Sequence, residues 1–343
     1  MDNIKQYIAR QGYSCREGLV ENFCLSLMVR PFVVLTGMSS TDMTLLPRLV
    51  AEAMGATEEN GRYKSLKVEY DWMDSSDLFG HLDLWGNFVP GAVLEFLVQA
   101  RNDPQRPYFL CFDKLILARA EYYLREILQT ACCLGAGEDA PELVPAIYYG
   151  RDEKALEKYG VVPALKNLYI VATLALDETG FPLNQKFMDQ VYTLQVEKED
   201  VACTGEASPL PCAGYTNAFL QTPVRSIEQW GQYEEKVDGY LALLEQLNKI
   251  LMQANAYVGY QIRNDIVTYL LNNHRCGFLP ENEAIDHLIT RKVLVRAQGN
   301  ARTVTPVLEQ LLRLCAGKYP QAEKKLLKML EQCEKEDYTG YWI

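Results

Sequence analysis

The chain has 343 residues, enough for two domains with a sizeable core, and 48% of them are hydrophobic. Its 34 basic and 45 acidic residues give a net charge of −11, and no basic stripe with interleaved aromatic residues stands out, so direct nucleic-acid binding is not expected. The ten Cys and three His are scattered without a C-x-x-C pair, which predicts no metal site and favours reduced thiols in a cytoplasmic protein.

The first predicted elements are N-terminal helices over residues 1–30, where apolar residues recur at helical spacing. This segment lacks the apolar core of a signal peptide. No stretch of about 18 uninterrupted apolar residues occurs, so no membrane span is expected.

Apolar strands alternate with helical segments over residues 31–197, and this alternation predicts a parallel α/β sheet flanked by helices. The predicted strands are 32–36, 66–70, 107–112, 168–174 and 192–196, and the predicted helices are 45–54, 91–101, 119–132 and 184–190. Residues 107–112 contain no polar alternation, as expected for a strand buried on both faces.

Residues 198–225 break this pattern with several Pro and Gly, and we interpret them as a linker or long loop. From 226 to 343 the apolar residues follow helical spacing, as in the series Leu241, Leu244, Leu247 and Ile250. The sequence therefore predicts a second, all-helical domain.

A loop with the setting of a phosphate-binding loop lies at residues 37–44, between a predicted strand and a predicted helix. The phosphate-loop pattern G-x-x-x-x-G-K-[ST] is only partly present. Gly37 and Thr44 stand at its two ends, but Asp42 replaces the second Gly and Met43 replaces the Lys. Ser40 also lies within this loop.

Several further segments occur in an order that resembles the McrB-like branch of the AAA+ ATPases, the NTP-driven motors of modification-dependent restriction systems. They are residues 31–37, 70–80, 109–114 with 117–123, 167–173, 177–179, 186–189 and the tail 338–342. The resemblance covers nearly the whole chain and implies a AAA+-type parallel sheet followed by a helical lid.

The resemblance also implies which functions the loop has lost. Met43 stands where the family's Lys neutralises the β- and γ-phosphates, and Ser40 replaces another usual Gly. Asp42 would place a carboxylate beside a polyanion, a repulsion of several kcal/mol at an effective dielectric of about 20. Thr44 retains the hydroxyl that would contact Mg²⁺.

Five further positions of the resemblance concern hydrolysis. Asp113 is retained where the family holds Mg²⁺, but Lys114 replaces the Glu that polarises the attacking water, and Ala175 replaces the sensor Asn. Gln190 stands at the arginine-finger position and Gln261 at the sensor Arg of the lid. Without an arginine finger, NTP hydrolysis loses a large part of its transition-state stabilisation.

Arg119 and Glu121 follow the predicted strand 107–112 and, by the resemblance, could form part of a subunit interface; the alternative is a solvated helix start. Asp71, Asp74 and Asp77 are interpreted as a loop with helix-capping residues rather than a metal site. His81 is expected in a loop.

The joint loss predicts a pseudo-ATPase that serves as a structural or regulatory subunit of a McrB-like defence assembly. Its partners would be proteins: an active AAA+ homologue, a nuclease subunit or copies of itself. No cofactor is expected, and ATP or GTP with Mg²⁺ would bind only if residual binding survives. The alternatives are a nucleotide sensor and a weak NTPase that uses Lys114 and Arg119 for charge compensation.

Overall fold

A computed structural model describes residues 1–13, 15–37, 40–136, 139–175, 185–196, 214–221, 224 and 227–341. The chain separates into two compact units, Met1–Thr222 and Pro223–Ile343. The boundary between them falls inside the range 198–225 that the sequence predicts as a linker, most of which lies outside the described residues. Among the described residues, no helix combines the length and the apolar character that crossing a membrane requires.

The first unit contains nine of the described helices and seven of the described strands. The helices are α1 (Asp2–Arg10), α2 (Leu19–Val29), α3 (Ser40–Ala53), α4 (Ser76–Phe79), α5 (Leu94–Asn102), α6 (Ala120–Tyr123), α7 (Arg125–Ala136), α8 (Glu153–Tyr159) and α9 (Gln185–Gln190). The strands are β1 (Phe32–Gly37), β2 (Tyr63–Lys67), β3 (Gly80–Leu82), β4 (Phe88–Pro90), β5 (Tyr108–Asp113), β6 (Leu168–Ala175) and β7 (Tyr192–Val196).

Five of these strands form a parallel sheet in the order β2-β5-β6-β1-β7. The central strands β1 and β6 are buried at every position, because their runs of apolar and β-branched side chains are covered on both faces. The predicted parallel α/β sheet flanked by helices is therefore confirmed. The predicted strand 66–70 is shifted: β2 spans Tyr63–Lys67, at the edge of the sheet.

Helices α2 and α3 pack against this sheet, α2 on β1 and β7, and α3 on β1, β5 and β6. Every residue of α2 is buried, which explains its lack of a polar face. The start of β6 is fixed by Asn167, whose amide Nδ2 donates to the carbonyls of Ala100 at 2.9 Å and Asp103 at 3.0 Å. These contacts set the position of the strand that runs towards the candidate site.

The segment after β2 folds differently from the prediction. The sequence predicted a loop containing His81, but His81 lies in β3, which pairs with β4 as an antiparallel hairpin. A strand of three residues is too short for its alternation of apolar and polar residues to be recognised in the sequence. The N-cap of α4 is Ser75, whose side chain makes no capping hydrogen bond, while Asp74 Oδ1 accepts the amide of Ser76 at 2.8 Å in the turn that leads into the helix.

The second unit is built mainly from helices, namely α10 (Glu234–Leu251), α11 (Tyr260–Cys276), α12 (Glu281–Leu288), α13 (Ala301–Cys315) and α14 (Pro320–Glu336). Asp286 on α12 accepts the amides of Gln321 and Ala322 at 2.8 Å each and so caps the first turn of α14. The prediction of an all-helical unit is corrected by one short antiparallel pair, β8 (Gly299–Asn300) with β9 (Tyr338–Thr339). This pair forms because the chain reverses direction after α14 at Asp337, which has a positive φ of 53°.

Candidate functional site

The candidate site lies at the carboxyl ends of β5, β6 and β1, which are neighbours in the sheet. The register of the parallel strands places Gly37 opposite Ala175 on one side and opposite Val196 on the other. Asp113 is the last residue of β5, and Lys114 follows it. Sequence positions from three distant segments therefore meet at one sheet edge, the usual place for a ligand crevice in an open α/β sheet.

Met43 is part of the core at this edge. It lies on α3, is only 1% exposed, and packs against Gly37. A Cβ atom placed on Gly37 would lie 3.3 Å from Met43 Sδ and 2.8 Å from the carbonyl oxygen of Val196. A glycine is thus required here by close packing, and the thioether occupies the space that the packing leaves.

The same helix contains a proline in its second turn. Pro47 lies inside α3 and has no amide hydrogen to donate to the carbonyl of Met43 four residues earlier. Thr44 is half-buried on α3. The predictions for Ser40 and Asp42 concern side chains that lie outside the described residues, and they stay predictions.

Asp113 is held by a residue that the sequence interpretation did not single out. The hydroxyl of Thr173 on β6 donates to Asp113 Oδ1 at 2.8 Å and accepts the amide of Lys114 at 2.9 Å. Thr173 is buried while Asp113 and Lys114 are half-buried, so both bonds are partly shielded from solvent. The available signal was a single aliphatic hydroxyl, that of Thr173, in the otherwise hydrophobic run 168–175.

Lys114 has an unusual backbone conformation. Its φ of 62° and ψ of 59° lie in the left-handed region, which a non-glycine residue rarely adopts. The turn that follows is fixed by Tyr123, whose hydroxyl donates to the carbonyl of Leu115 at 2.9 Å. These contacts hold the backbone of the half-buried Lys114 in place at the end of β5.

Two other predicted site residues do not belong to the described part of this edge. Gln190 ends α9, just before β7 begins opposite Val33, and so it lies at the amino-terminal edge of the sheet. Gln261 is exposed on α11 in the second unit. The assignment of Gln190 to the arginine-finger position and of Gln261 to the sensor position stays a prediction.

Arg119 and Glu121 lie at the start of α6. Arg119 is exposed, with its guanidinium carbon 5.9 Å from the centre of the Tyr122 ring, and Glu121 is half-buried. An exposed Arg beside an exposed Tyr suits either a solvated surface or a protein contact. Their role in a subunit interface stays a prediction.

The described part of this edge combines apolar and polar groups. It presents the thioether of Met43, the methyl group of Ala175 and an Asp113 carboxylate bonded to Thr173, together with the half-buried Thr44 and Lys114. No group of three or more His, Cys, Asp or Glu side chains suited to a metal ion occurs among the described residues.

Comparisons with known proteins add little about activity. A family described as a domain of unknown function, DUF8727, matches residues 215–338. No curated protein matches the chain. Among solved structures, the chain is similar to a protein of Cytophaga hutchinsonii described as a putative ATPase, with 12% sequence identity, a TM-score of 0.47, and coverage of 85% of this chain and 86% of that one.

Proposed function

We propose that this chain is a catalytically inactive AAA+-like protein, a pseudo-ATPase, that acts by binding other proteins. The observation that carries the proposal is the burial of Met43 against Gly37. The resemblance places the phosphate-contacting Lys at this position, where the side chain would have to reach a triphosphate. Met43 instead completes the apolar packing between α3 and β1.

The residues at this edge do not fit a bound ATP or GTP with Mg²⁺. A nucleoside triphosphate needs cations and backbone donors around its β- and γ-phosphates. The Met43 thioether carries no charge and donates no hydrogen bond. A phosphate placed beside it would lose hydration without compensation, which is costly for a charged group.

The positions associated with hydrolysis support the same proposal. Lys114 stands where the family has its water-polarising Glu, and a charged ammonium cannot accept a proton from water. Ala175, opposite Gly37, offers no polar group to orient that water. Changes at separate positions of one edge are expected when hydrolysis is no longer selected while the fold is.

The proposed role is that of a structural or regulatory subunit in a McrB-like defence assembly. The resemblance supports the type of assembly, and the buried sheet with its packed helices supports continued use of the fold. Candidate partners are an active AAA+ homologue, a nuclease subunit or further copies of this chain. Because Gln190 replaces the finger Arg, the chain would also not activate a neighbouring subunit by the usual route.

Isothermal titration of the full chain with ATP, GTP and their slowly hydrolysed analogues, with and without Mg²⁺, tests the proposal. We expect no binding up to millimolar nucleotide and no phosphate release. Binding without turnover would overturn this proposal in favour of a nucleotide sensor. Turnover that is abolished by Lys114→Ala or Arg119→Ala would overturn it in favour of a weak NTPase with compensating charges.

The role in an assembly is tested separately. The chain is mixed with an active McrB-like AAA+ ATPase, and complex formation is followed by sedimentation velocity. We expect a mixed complex whose NTPase rate per active subunit falls as the share of this chain rises. Independent sedimentation with an unchanged rate would contradict a subunit role while leaving the nucleotide result intact.

A further inference from the structure

Helix α1 packs against α3, the helix that follows β1. Its two buried residues are Ile4 and Ile8, which are 0% and 1% exposed and lie one turn apart on the same side of the helix. The remaining residues of α1 are exposed or half-buried. This helix is therefore amphipathic and is held in place by a narrow apolar stripe.

Two side-chain hydrogen bonds also hold α1. Lys5 Nζ donates to Glu21 Oε1 on α2 at 2.7 Å, and the Tyr7 hydroxyl donates to Glu52 Oε2 on α3 at 3.1 Å. Glu52 is also paired with Arg48 at 2.8 Å, whereas Glu21 is only 5% exposed on a helix without a polar face. The Lys5 ammonium therefore balances the charge of a nearly buried carboxylate, which is costly to leave unpaired.

The surface beneath α1, which includes Glu21 and Glu52, is called the α1 socket. The contacts of α1 define what this socket accepts. An occupant must place apolar side chains at positions i and i+4, as Ile4 and Ile8 do, and a cation at i+1, as Lys5 does. This is the pattern by which an amphipathic helix is recognised in a groove.

The intrinsic stability of α1 is low. It has nine residues, and isolated helices shorter than about 12 to 15 residues are marginally stable in water. No side chain caps its first turn. Its two buried residues contrast with α2, in which all eleven residues are buried. We therefore expect α1 to detach by local opening, at a lower free energy than unfolding of the whole unit.

The turn between α1 and α2 contains two positions suited to a hinge. Gly12 and Gly18 have positive φ angles of 76° and 81°. Glycine reaches other backbone conformations at little steric cost, and a Cβ atom placed on Gly12 would meet nothing within 4 Å. These positions allow α1 to move away while α2 stays packed on the sheet.

We propose that α1 is an autoinhibitory strap, and that the α1 socket is a docking site for an amphipathic helix of a partner protein. That helix carries Ile or Leu at i and i+4 and Lys or Arg at i+1. While α1 is docked, it competes at an effective concentration of about a millimolar, so only a tightly binding helix displaces it. This proposal goes beyond the loss of nucleotide binding and is tested without nucleotide.

Hydrogen exchange of the full chain tests whether α1 detaches. We expect the hydrogen-bonded amides of α1 to exchange about 100-fold or more faster than those of α2, because they exchange through local opening. Lys5→Gln should accelerate exchange in α1 by about tenfold, because it removes the bond to the Glu21 carboxylate. The control Arg10→Gln removes a charge from an exposed position of the same helix and should leave the rate nearly unchanged.

Binding of a separate peptide tests the socket. The probe is a fluorescent peptide of residues 1–12, kept helical by a staple between positions 6 and 10, which are exposed in α1. The wild-type chain should not bind it below about 100 μM, because its own α1 competes for the socket. The full-length double variant Ile4→Asp with Ile8→Asp should bind the peptide about tenfold or more tightly, since its internal competitor is lost.

Controls separate the socket from other surfaces. Ile147→Asp makes the same change at a side chain that is 82% exposed in the first unit, and this variant should behave as the wild type. A peptide that carries Ile4→Asp and Ile8→Asp should bind neither chain. A peptide with Lys5→Glu should bind the double variant about tenfold or more weakly, because its carboxylate would face Glu21.

A milder variant covers the case in which the double variant does not fold. Ile8→Ala weakens the docking of α1 and should bind the peptide with an affinity between those of the wild type and the double variant. Its folded state is checked by urea unfolding before the titration.

Four results would overturn the proposal. The first is exchange in α1 that is no faster than in α2, and the second is equal binding of the peptide to wild type and variants. The third is the absence of peptide binding to the folded variants. The fourth is a wild-type dimer in sedimentation velocity that Ile8→Asp abolishes, because the socket would then belong to α1 of a second copy of this chain.

Discussion

Thr173 on β6 and Asp113 on β5 are joined by a 2.8 Å hydrogen bond at the carboxyl edge of the sheet. The same Thr173 oxygen accepts the amide of Lys114 at 2.9 Å, so one hydroxyl fixes both the carboxylate and the turn after it. A hydrogen bond to a charged group contributes more than a neutral one. This bridge holds the end of β5 in its unusual backbone conformation.

Replacing Thr173 with Val keeps the shape of the side chain and removes both bonds. We expect the first unit to lose about 1 to 3 kcal/mol of unfolding free energy, because the Asp113 carboxylate and the Lys114 amide lose their buried partner. The measurement is the urea midpoint. Thr36→Val is the matched control: Thr36 is equally buried on β1 but makes a longer bond, 3.3 Å to the Leu194 carbonyl, so its loss should be smaller. Equal losses in the two variants would contradict the bridging role.

Replacing Gly37 with Ala tests the close packing at the end of β1. The added Cβ would lie 2.8 Å from a backbone oxygen, which cannot rotate away, so we expect a loss of about 1 to 3 kcal/mol of unfolding free energy. In Gly239→Ala, on α10, the new Cβ meets nothing within 4 Å and should instead stabilise its helix by about 0.5 to 1 kcal/mol. Urea unfolding reports both. A neutral Gly37→Ala variant would mean that β1 and β7 can separate at this point without cost.

Replacing Met43 with Lys places a charged group at a buried position. We expect a loss of several kcal/mol, since an ammonium group must be buried or lose its proton, whereas Met43→Leu should cost about 1.5 kcal/mol or less. The unfolded Lys keeps its ordinary high pKa while the buried one is lowered, so stability of the variant should rise from pH 7 to pH 9.

Nucleotide provides the second readout for the same variant. ATP with Mg²⁺ should leave its unfolding midpoint unchanged, because a ligand stabilises only a fold that binds it. A midpoint that rises with ATP concentration, in this variant but not in the wild type, would show that the substitution creates nucleotide binding.

The second unit contains a buried His287, which is 5% exposed. Burial lowers the pKa of this imidazole below its ordinary value of 6.5, although Glu283 and Asp286 nearby oppose the shift. Its Nε2 lies 3.7 Å from Glu283 Oε1, beyond ordinary hydrogen-bond length. The unfolded chain therefore binds the proton more readily, and stability should fall as the pH drops below about 6.5.

Urea midpoints of the second unit between pH 7.5 and pH 5 measure this effect. His287→Leu should flatten the pH dependence of the urea midpoint. His274→Gln, which replaces an exposed histidine on α11, should leave that dependence unchanged. A wild-type profile that stays level below pH 6.5 would show that His287 reaches solvent or gains a partner when protonated.

The central strands could be predicted from the sequence because each is a continuous apolar run, as at β5 and β6. The edge strand β2 was displaced in the prediction, since only one neighbour pairs with it and its side chains are unevenly buried. The hairpin β3–β4 was missed, because its stability comes from Phe88 packing on Tyr149 and Tyr159 rather than from its own pattern.

At the candidate site the sequence predicted a departure from the phosphate-loop pattern, and it did not predict how the side chains pack. The bond between Thr173 and Asp113 depends on the register of two strands whose residues are far apart in sequence, which no local pattern specifies. The burial of Met43 likewise follows from the approach of α3 to Gly37. The sequence shows that residue 43 is a neutral Met. That its side chain is buried against Gly37 could be learned only from the three-dimensional structure.

The contact between Met43 and Gly37 also bears on how such a chain could evolve. A Met43→Lys substitution would introduce its destabilisation at once, before any change elsewhere at the edge could make use of the charge. Each further substitution that improves the apolar packing would raise that cost. The contact therefore restricts which residues position 43 tolerates. Exposed positions make no such contact, so sequence change is expected mainly at the surface.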